Sequence, residues 1–137
     1  MITLDSIRDI KIYQTKSGYR FSVDALLLYS FVDVKTARKI ADLGAGSGIV
    51  GILLAKKYHN ADITLIEIQK SLAALAEKNI GLNSLEGMVK AVTADVREIK
   101  KCRSPLITPH SFDIAVSNPP FRKEMSGRLN PDEEKAI

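Results

Sequence analysis

The sequence predicts an α/β fold, a three-layer α/β/α sandwich with a mainly parallel sheet, preceded by an N-terminal β-hairpin and helix. Two observations predict it. From Lys39 onward, short β-branched runs alternate with helical stretches of about 10–15 residues, the pattern of right-handed βαβ units with helices on both sheet faces. At the first strand-to-helix junction, Asp42-Leu43-Gly44-Ala45-Gly46-Ser47-Gly48 sets three alternating glycines where a doubly wound sheet turns sharply and opens its ligand crevice. The 137 residues fit one domain, able to bury about two-thirds of the unfolded surface without a metal or disulfide.

Taken in order, the first element is a hairpin. Ile10 and Ile12, then Tyr19 and Phe21, alternate around Lys16-Ser17-Gly18, which predicts a turn at the Ser-Gly pair. Ser22 is placed as the N-cap of a helix over 23–32, with positions 23, 26, 27 and 31 on its apolar face. A polar connector leads to a strand at 39–43. Helix 49–58 follows, closed by His59-Asn60, then strand 63–66 ending at Glu67. The Ala- and Leu-rich stretch 70–82 is a helix with Asn79, Gly81 and Asn83 near its exit. Strand 89–93, a short helix at 96–101 and strand 112–116 complete the pattern. That last strand runs into Asn118-Pro119-Pro120-Phe121. Within the single domain, 1–35 form the hairpin and helix, 36–121 the binding core, and 122–137 a polar segment without apolar period, expected to lack order.

Composition narrows the classes. Twenty Lys and Arg against sixteen Asp and Glu leave a net charge of +4, with 45% hydrophobic and 26% charged residues, ordinary for a soluble domain. The single cysteine, Cys102, excludes an intramolecular disulfide and a Cys-rich zinc site. Met1-Ile2-Thr3-Leu4-Asp5 lacks the basic and apolar regions of a signal peptide, and no apolar run approaches the roughly 20 residues of a membrane span. The expected location is cytoplasmic.

The glycine loop by itself leaves the ligand open. Gly46-Ser47-Gly48-Ile49-Val50-Gly51 also satisfies G-x-G-x-x-G, and Glu67 follows about 20 residues on, as an acid on a ribose hydroxyl does in a dinucleotide site. An ionised Glu67 can accept both hydroxyls of a ribose in either kind of cofactor. Asp95 closes the third parallel strand and has two compatible readings: N-cap of the following helix, or acceptor for the exocyclic amine of an adenine. At Asn118-Pro119-Pro120-Phe121, two prolines fix φ and leave their carbonyls free. The Asn118 side-chain oxygen and the Pro119 carbonyl can then accept from one planar NH2 group. Phe121 offers a ring for base stacking, worth about 1–3 kcal/mol.

These segments, in this order on a βαβ chain, resemble the Rossmann-like S-adenosylmethionine-dependent methyltransferases, and the Asn-Pro-Pro-Phe tetrapeptide resembles the branch that methylates exocyclic amines or amides. Two flanks, Gly18-Tyr19-Arg20-Phe21-Ser22-Val23-Asp24-Ala25-Leu26-Leu27-Leu28 and Arg122-Lys123 through Ser126-Gly127-Arg128-Leu129-Asn130-Pro131 to Glu134-Lys135-Ala136-Ile137, are similar to the bacterial tRNA(Val) adenine-N6 methyltransferases. The resemblance implies S-adenosyl-L-methionine as cofactor. Gly44, Gly46 and Gly48 would cradle its methionine part, with Asp42 orienting the loop and reaching the amino group through water. Glu67 would hold the ribose and Asp95 the adenine amine, with Ile68 and Val96 as apolar neighbours. Asp24 would approach the methionine end from the N-terminal helix. Asn118, Pro119 and Phe121 would be the catalytic set. Lys16, Arg20, Arg122, Lys123 and Arg128 would hold RNA phosphates.

The substrate so implied is the N6 amine of adenine in tRNA, acted on by a monomer or dimer with no membrane or metal partner. Alternatives are a guanine-N2 methyltransferase of ribosomal RNA, a protein glutamine-amide methyltransferase, an NAD-dependent oxidoreductase and a non-catalytic RNA-binding module. His59 and His110 are expected as surface residues and Cys102 as an unreactive thiol, so no strong base is assigned. The resembling family is longer and carries seven strands, which implies that this chain is truncated at its C-terminal side and lacks the closing strands.

Overall fold

The computed structural model describes residues 1–16 and 23–120. β1 (Ile2–Ile7) and β2 (Ile10–Thr15) pair antiparallel, from Ile2 opposite Thr15 to Ile7 opposite Ile10. The hairpin therefore turns at Arg8-Asp9, with Arg8 at φ 54°, rather than at Ser17-Gly18. Ser17, Gly18, Tyr19, Phe21 and the expected cap Ser22 lie outside the described residues. What the alternation did mark is the inward face of β2, where Ile10, Ile12 and Gln14 are buried. Ile2, Leu4 and Ser6 alternate too, but a two-residue charged turn gives a weaker signal than Ser-Gly.

α1 (Val23–Phe31) forms where expected, but of the expected apolar positions only Leu26 packs against the core. Val23, Leu27 and Phe31 are 69%, 61% and 85% exposed, whereas Ala25 and the following Val32 are buried, with Leu28 and Tyr29 packed against the core. The reason is that VDALLLYSF is apolar nearly all round, so periodicity cannot choose a side. Packing against α2 (Ile49–Lys57) chooses it. Lys57 of α2 donates to the carbonyls of Tyr29 and Val32, covering the C-terminal end of α1 where a cation suits the helix dipole.

The main sheet contains β3 (Lys39–Leu43), β4 (Asp62–Glu67), β5 (Val89–Thr93) and β6 (Ile114–Ser117), all parallel, in the order β5-β4-β3-β6. α3 (Lys70–Leu82) connects β4 to β5. α2 and α3 share one sheet face. The space above Gly48, at the start of α2, is bounded by Leu65 of β4 and Ala76 of α3. On that face Ile40, Ile63, Leu65, Val89 and Val116 join Ile52, Leu54, Ala76 and Ile80 in one core. Along the other face runs a 3₁₀ helix (Val96–Lys101) and the loop after it, whose Leu106 and Phe112 line a cavity with Thr64 and Lys90. β6 starts two residues later than expected. Asp113 Oδ2 instead accepts from the Arg38 and Lys39 N–H groups at 2.8 and 2.9 Å, pinning the entry of β6 to that of β3.

Gly51 lets α2 lie flush on the sheet: a Cβ there would sit 2.1 Å from Leu65 Cδ2. Gly51→Ala is accordingly expected to cost about 1–3 kcal/mol through overpacking. A lower denaturant midpoint at unchanged slope would show it; an unshifted midpoint would mean that the helix lifts freely.

The topology fixes where a ligand goes. The chain builds β3, β4 and β5 outward in one direction, then returns to place β6 on the far side of β3. The switch point lies between β3 and β6, at the carboxyl ends of the strands, where open α/β sheets bind ligands. There Leu43 and Ser117 are paired in register, and Ser117 Oγ donates to the Leu43 carbonyl at 2.9 Å. The glycine loop and the Asn-Pro-Pro segment leave the sheet side by side.

Candidate cofactor cleft

The loop after β3 is held in shape by the end of β4. The Gly44 and Ala45 N–H groups both donate to the Ile66 carbonyl, at 2.8 and 3.0 Å, and the Gly46 N–H donates to Glu67 Oε2 at 2.8 Å. Gly44, Gly46 and Gly48 take φ of 69°, 58° and 88°. Gly48 is the N-cap of α2 in this left-handed conformation, its own N–H given to the Ala45 carbonyl. A side chain at Gly48 would be strained in φ and would meet Leu65 Cδ1 at 2.8 Å. Its role is thus to seat the helix under the loop.

Two acids sit beneath. Glu67 is 3% exposed, and its second oxygen accepts from the Gln69 N–H at 2.9 Å. Each of its oxygens takes one backbone N–H and keeps a lone pair for a hydroxyl. Asp42 is 1% exposed and accepts from the Gly51 N–H at 3.0 Å, tying β3 to the first turn of α2. Burial pushes its carboxyl up to about 7, opposed by the Gly51 hydrogen bond and reinforced by the Glu67 charge.

The cleft above has two lobes that share Gly44 and Pro120. Asp42, Gly46, Glu67 and Asn118 line the first, of about 80 Å³. Ile68, Asp95, Val96 and Pro119 line the second, of about 200 Å³, with Leu43 and Ile66 as its apolar floor. Nine residues singled out from the sequence thus converge on one cleft: Asp42, Gly44, Gly46, Glu67, Ile68, Asp95, Val96, Asn118 and Pro119. Asp24 lies exposed in the first turn of α1 and borders neither lobe. Lys16 is exposed at the end of β2. Phe121, Arg20, Arg122, Lys123 and Arg128 lie outside the described residues.

Asp95 is the N-cap of the 3₁₀ helix, accepting from the Arg97 N–H at 2.9 Å. The Arg97 guanidinium also forks onto both carboxylate oxygens, at 2.6 to 3.0 Å, and holds the Asp95 carboxyl below the usual range. Each carboxylate oxygen thus takes two of the four Arg97 contacts. Arg97 was not singled out from the sequence, nor were Gln69 and Leu72, which also line the cleft. Position two and four residues past a strand end, on the carboxyl side of the sheet, was the signal available for Gln69 and Arg97.

A parallel sheet opened at its switch point, a left-handed glycine loop entering a helix and a buried acid ending the next strand define an α/β domain built for a nucleotide-type cofactor. The chain belongs to the methyltransferase small domain family, whose model matches residues 17–132. It is 26% identical over 132 residues to a tRNA1(Val) (adenine(37)-N6)-methyltransferase of Haemophilus influenzae (strain PittEE), covering 96% of this chain and 55% of that protein. Similarity to the enzyme of the same name from a Flavobacteriaceae bacterium (strain 3519-10) is 29% over 125 residues, 91% of this chain and 49% of that one. The chain therefore spans about half the length of these curated relatives. Among solved structures, the SAM-dependent methyltransferase from Agrobacterium tumefaciens superposes with a TM-score of 0.60 at 17% identity, over 86% of this chain and 39% of that one, a likeness of fold.

Proposed function

We propose that the cleft binds S-adenosyl-L-methionine and that the protein methylates an exocyclic amine of a nucleobase in RNA, with N6 of adenine in tRNA as the substrate. The observation that carries this is the Asn118-Pro119-Pro120 segment, which leaves the sheet beside the glycine loop and borders both lobes of the cleft. Family membership supports the reaction class, and the two relatives named for tRNA1(Val) adenine support the substrate.

The residues present fit the cofactor. Glu67 keeps lone pairs for ribose hydroxyls; Ile66, Ile68 and Val96 offer apolar walls for a base; Asp95 brings a carboxylate acceptor to the same lobe. When bound, the cofactor supplies a methyl group activated on a sulfonium. The protein's part is positioning. An adenine amine is a weak nucleophile because its lone pair is delocalised into the ring. Accepting its hydrogens at Asn118 Oδ1 and the Pro119 carbonyl would favour a pyramidal nitrogen with the lone pair free to attack. Positive charge grows on that nitrogen, so fixed oxygens there stabilise the transition state more than the ground state. The nitrogen's surplus proton leaves to solvent after transfer. A target base in a helix must first be unstacked. Lys16, Arg20, Arg122, Lys123 and Arg128 are the cations proposed to hold its phosphates.

The test is a calorimetric titration of the chain with S-adenosylhomocysteine, with NAD as control and Asp95→Ala alongside. Binding of S-adenosylhomocysteine alone, weakened about tenfold by the substitution, is expected. Binding of NAD instead would overturn the reading. Methylation assays on undermodified tRNA, ribosomal RNA and a glutamine peptide then separate the substrate alternatives.

A further inference from the structure

Asn79 lies in the third turn of α3 and is 0% exposed. Its side chain makes three hydrogen bonds. Oδ1 accepts from the Tyr13 N–H at 2.7 Å, and Nδ2 donates to the Tyr13 carbonyl at 3.0 Å and to the Ser47 carbonyl at 2.9 Å. One turn later Asn83 repeats the first half of the pattern. Its Oδ1 accepts from the Lys11 N–H at 3.0 Å, and its Nδ2 donates to the Lys11 carbonyl at 2.7 Å.

Residues 11 and 13 are on the edge of β2 that faces away from β1. The two amides thus treat that edge as a neighbouring strand would, satisfying N–H and C=O of alternate residues. Both side chains dock the hairpin. Only Asn79 also reaches the glycine loop, and it does so at Ser47, between the two left-handed glycines Gly46 and Gly48. The loop is therefore gripped from two sides: by Ile66 and Glu67 beneath the cleft, and by Asn79 from the helix layer.

We propose that Asn79 is a positioning residue that couples the N-terminal hairpin to the glycine loop, so that hairpin docking sets the loop geometry required for cofactor binding. The physical basis is that one buried amide has no solvent to fall back on. If the hairpin shifts, Asn79 must leave either Tyr13 or Ser47 unpaired, and a buried unpaired polar group is costly. The consequence for the cofactor rests on reading the cleft as the S-adenosylmethionine site. The coupling itself does not.

The experiment compares Asn79→Ala with Asn83→Ala in the same chain, by hydrogen exchange followed peptide by peptide and by S-adenosylhomocysteine titration. Asn79→Ser serves as the milder variant if Asn79→Ala does not fold. Both substitutions loosen the hairpin. Only the Asn79 variant is expected to speed exchange in the 44–50 segment, by about tenfold or more, and to weaken S-adenosylhomocysteine binding by a similar factor. A purely structural role predicts equal effects from the two variants when compared at equal stability. Unchanged exchange in 44–50 in the Asn79 variant, or equal acceleration by Asn83→Ala, would overturn the coupling. If the wild-type chain binds no S-adenosylhomocysteine yet the exchange difference appears, the coupling stands and the cofactor reading falls.

Discussion

Asn118→Ala is expected to lower methyl transfer by about 10²–10³-fold, the loss typical of removing one fixed group that meets developing charge. S-adenosylhomocysteine affinity should change by only a few-fold. The separation follows from position. Asn118 leaves the end of β6, while the glycine loop takes its shape from hydrogen bonds to Ile66, Glu67 and Asn79. In the proposed chemistry the Asn118 side-chain oxygen acts with the carbonyl of Pro119, a residue with no N–H to compete, and alanine cannot replace that oxygen. The measurement is single-turnover methylation of undermodified tRNA beside a calorimetric titration. A variant retaining more than a tenth of the rate would remove Asn118 from the catalytic set. Equal losses of rate and affinity would make it a binding residue instead.

Asp42→Asn is expected to stabilise the fold at neutral and alkaline pH. The Asp42 carboxyl is carried from its ordinary 3.8 to about 7 by burial, so the folded state holds a proton that the unfolded state has already released between those values. Folded protein binds more protons than unfolded across that window, and stability therefore falls as pH rises through it. The cost is absent below the unfolded value and complete above about 7, where it reaches at most roughly 4 kcal/mol. Asparagine keeps an oxygen for the Gly51 N–H and does not titrate, so the variant should lack this component. Denaturant midpoints of both proteins from pH 4 to 8 should diverge as pH rises and then run parallel. A difference independent of pH would show that Asp42 is not the titrating group. Asp42 lines the cleft with Glu67 and Asn118, and under the proposed cofactor reading its ionised carboxylate would meet the cofactor's amino group. The stabilised variant should accordingly bind S-adenosylhomocysteine more weakly at pH 8.

Legibility in the sequence follows how local each signal is. The limits of β3, α3 and β5 could be read directly, because β3 runs straight into the glycine turn, β5 is a short run with three β-branched residues and α3 is rich in Ala and Leu. The cleft residues were legible because motif order on a βαβ chain dictates that strand ends meet: Gly44, Glu67, Asp95 and Asn118 all end or follow strands and so lie on one side of the sheet. The face of α1 was not legible, because a helix apolar on every side is turned by its neighbour. Arg97 escaped notice because a guanidinium two residues past an N-cap is usually a surface charge. Asn79 looked like a helix-exit residue beside Gly81 and Asn83. Its partners, Tyr13 and Ser47, are 66 and 32 residues away in the chain, and no local pattern announces them.

The sequence by itself determined the alternation of strands and helices, the glycine turn after β3 and the chemistry available at each strand end, since each depends on residues within a few positions of one another. Tertiary structure decided the rest: which strand pairs with β2, which side of α1 is buried, that α2 and α3 share a sheet face, and that one buried amide joins the hairpin to the glycine loop. Those outcomes depend on which distant surfaces exclude water together and which buried polar groups find partners, and these are settled only when the whole chain packs.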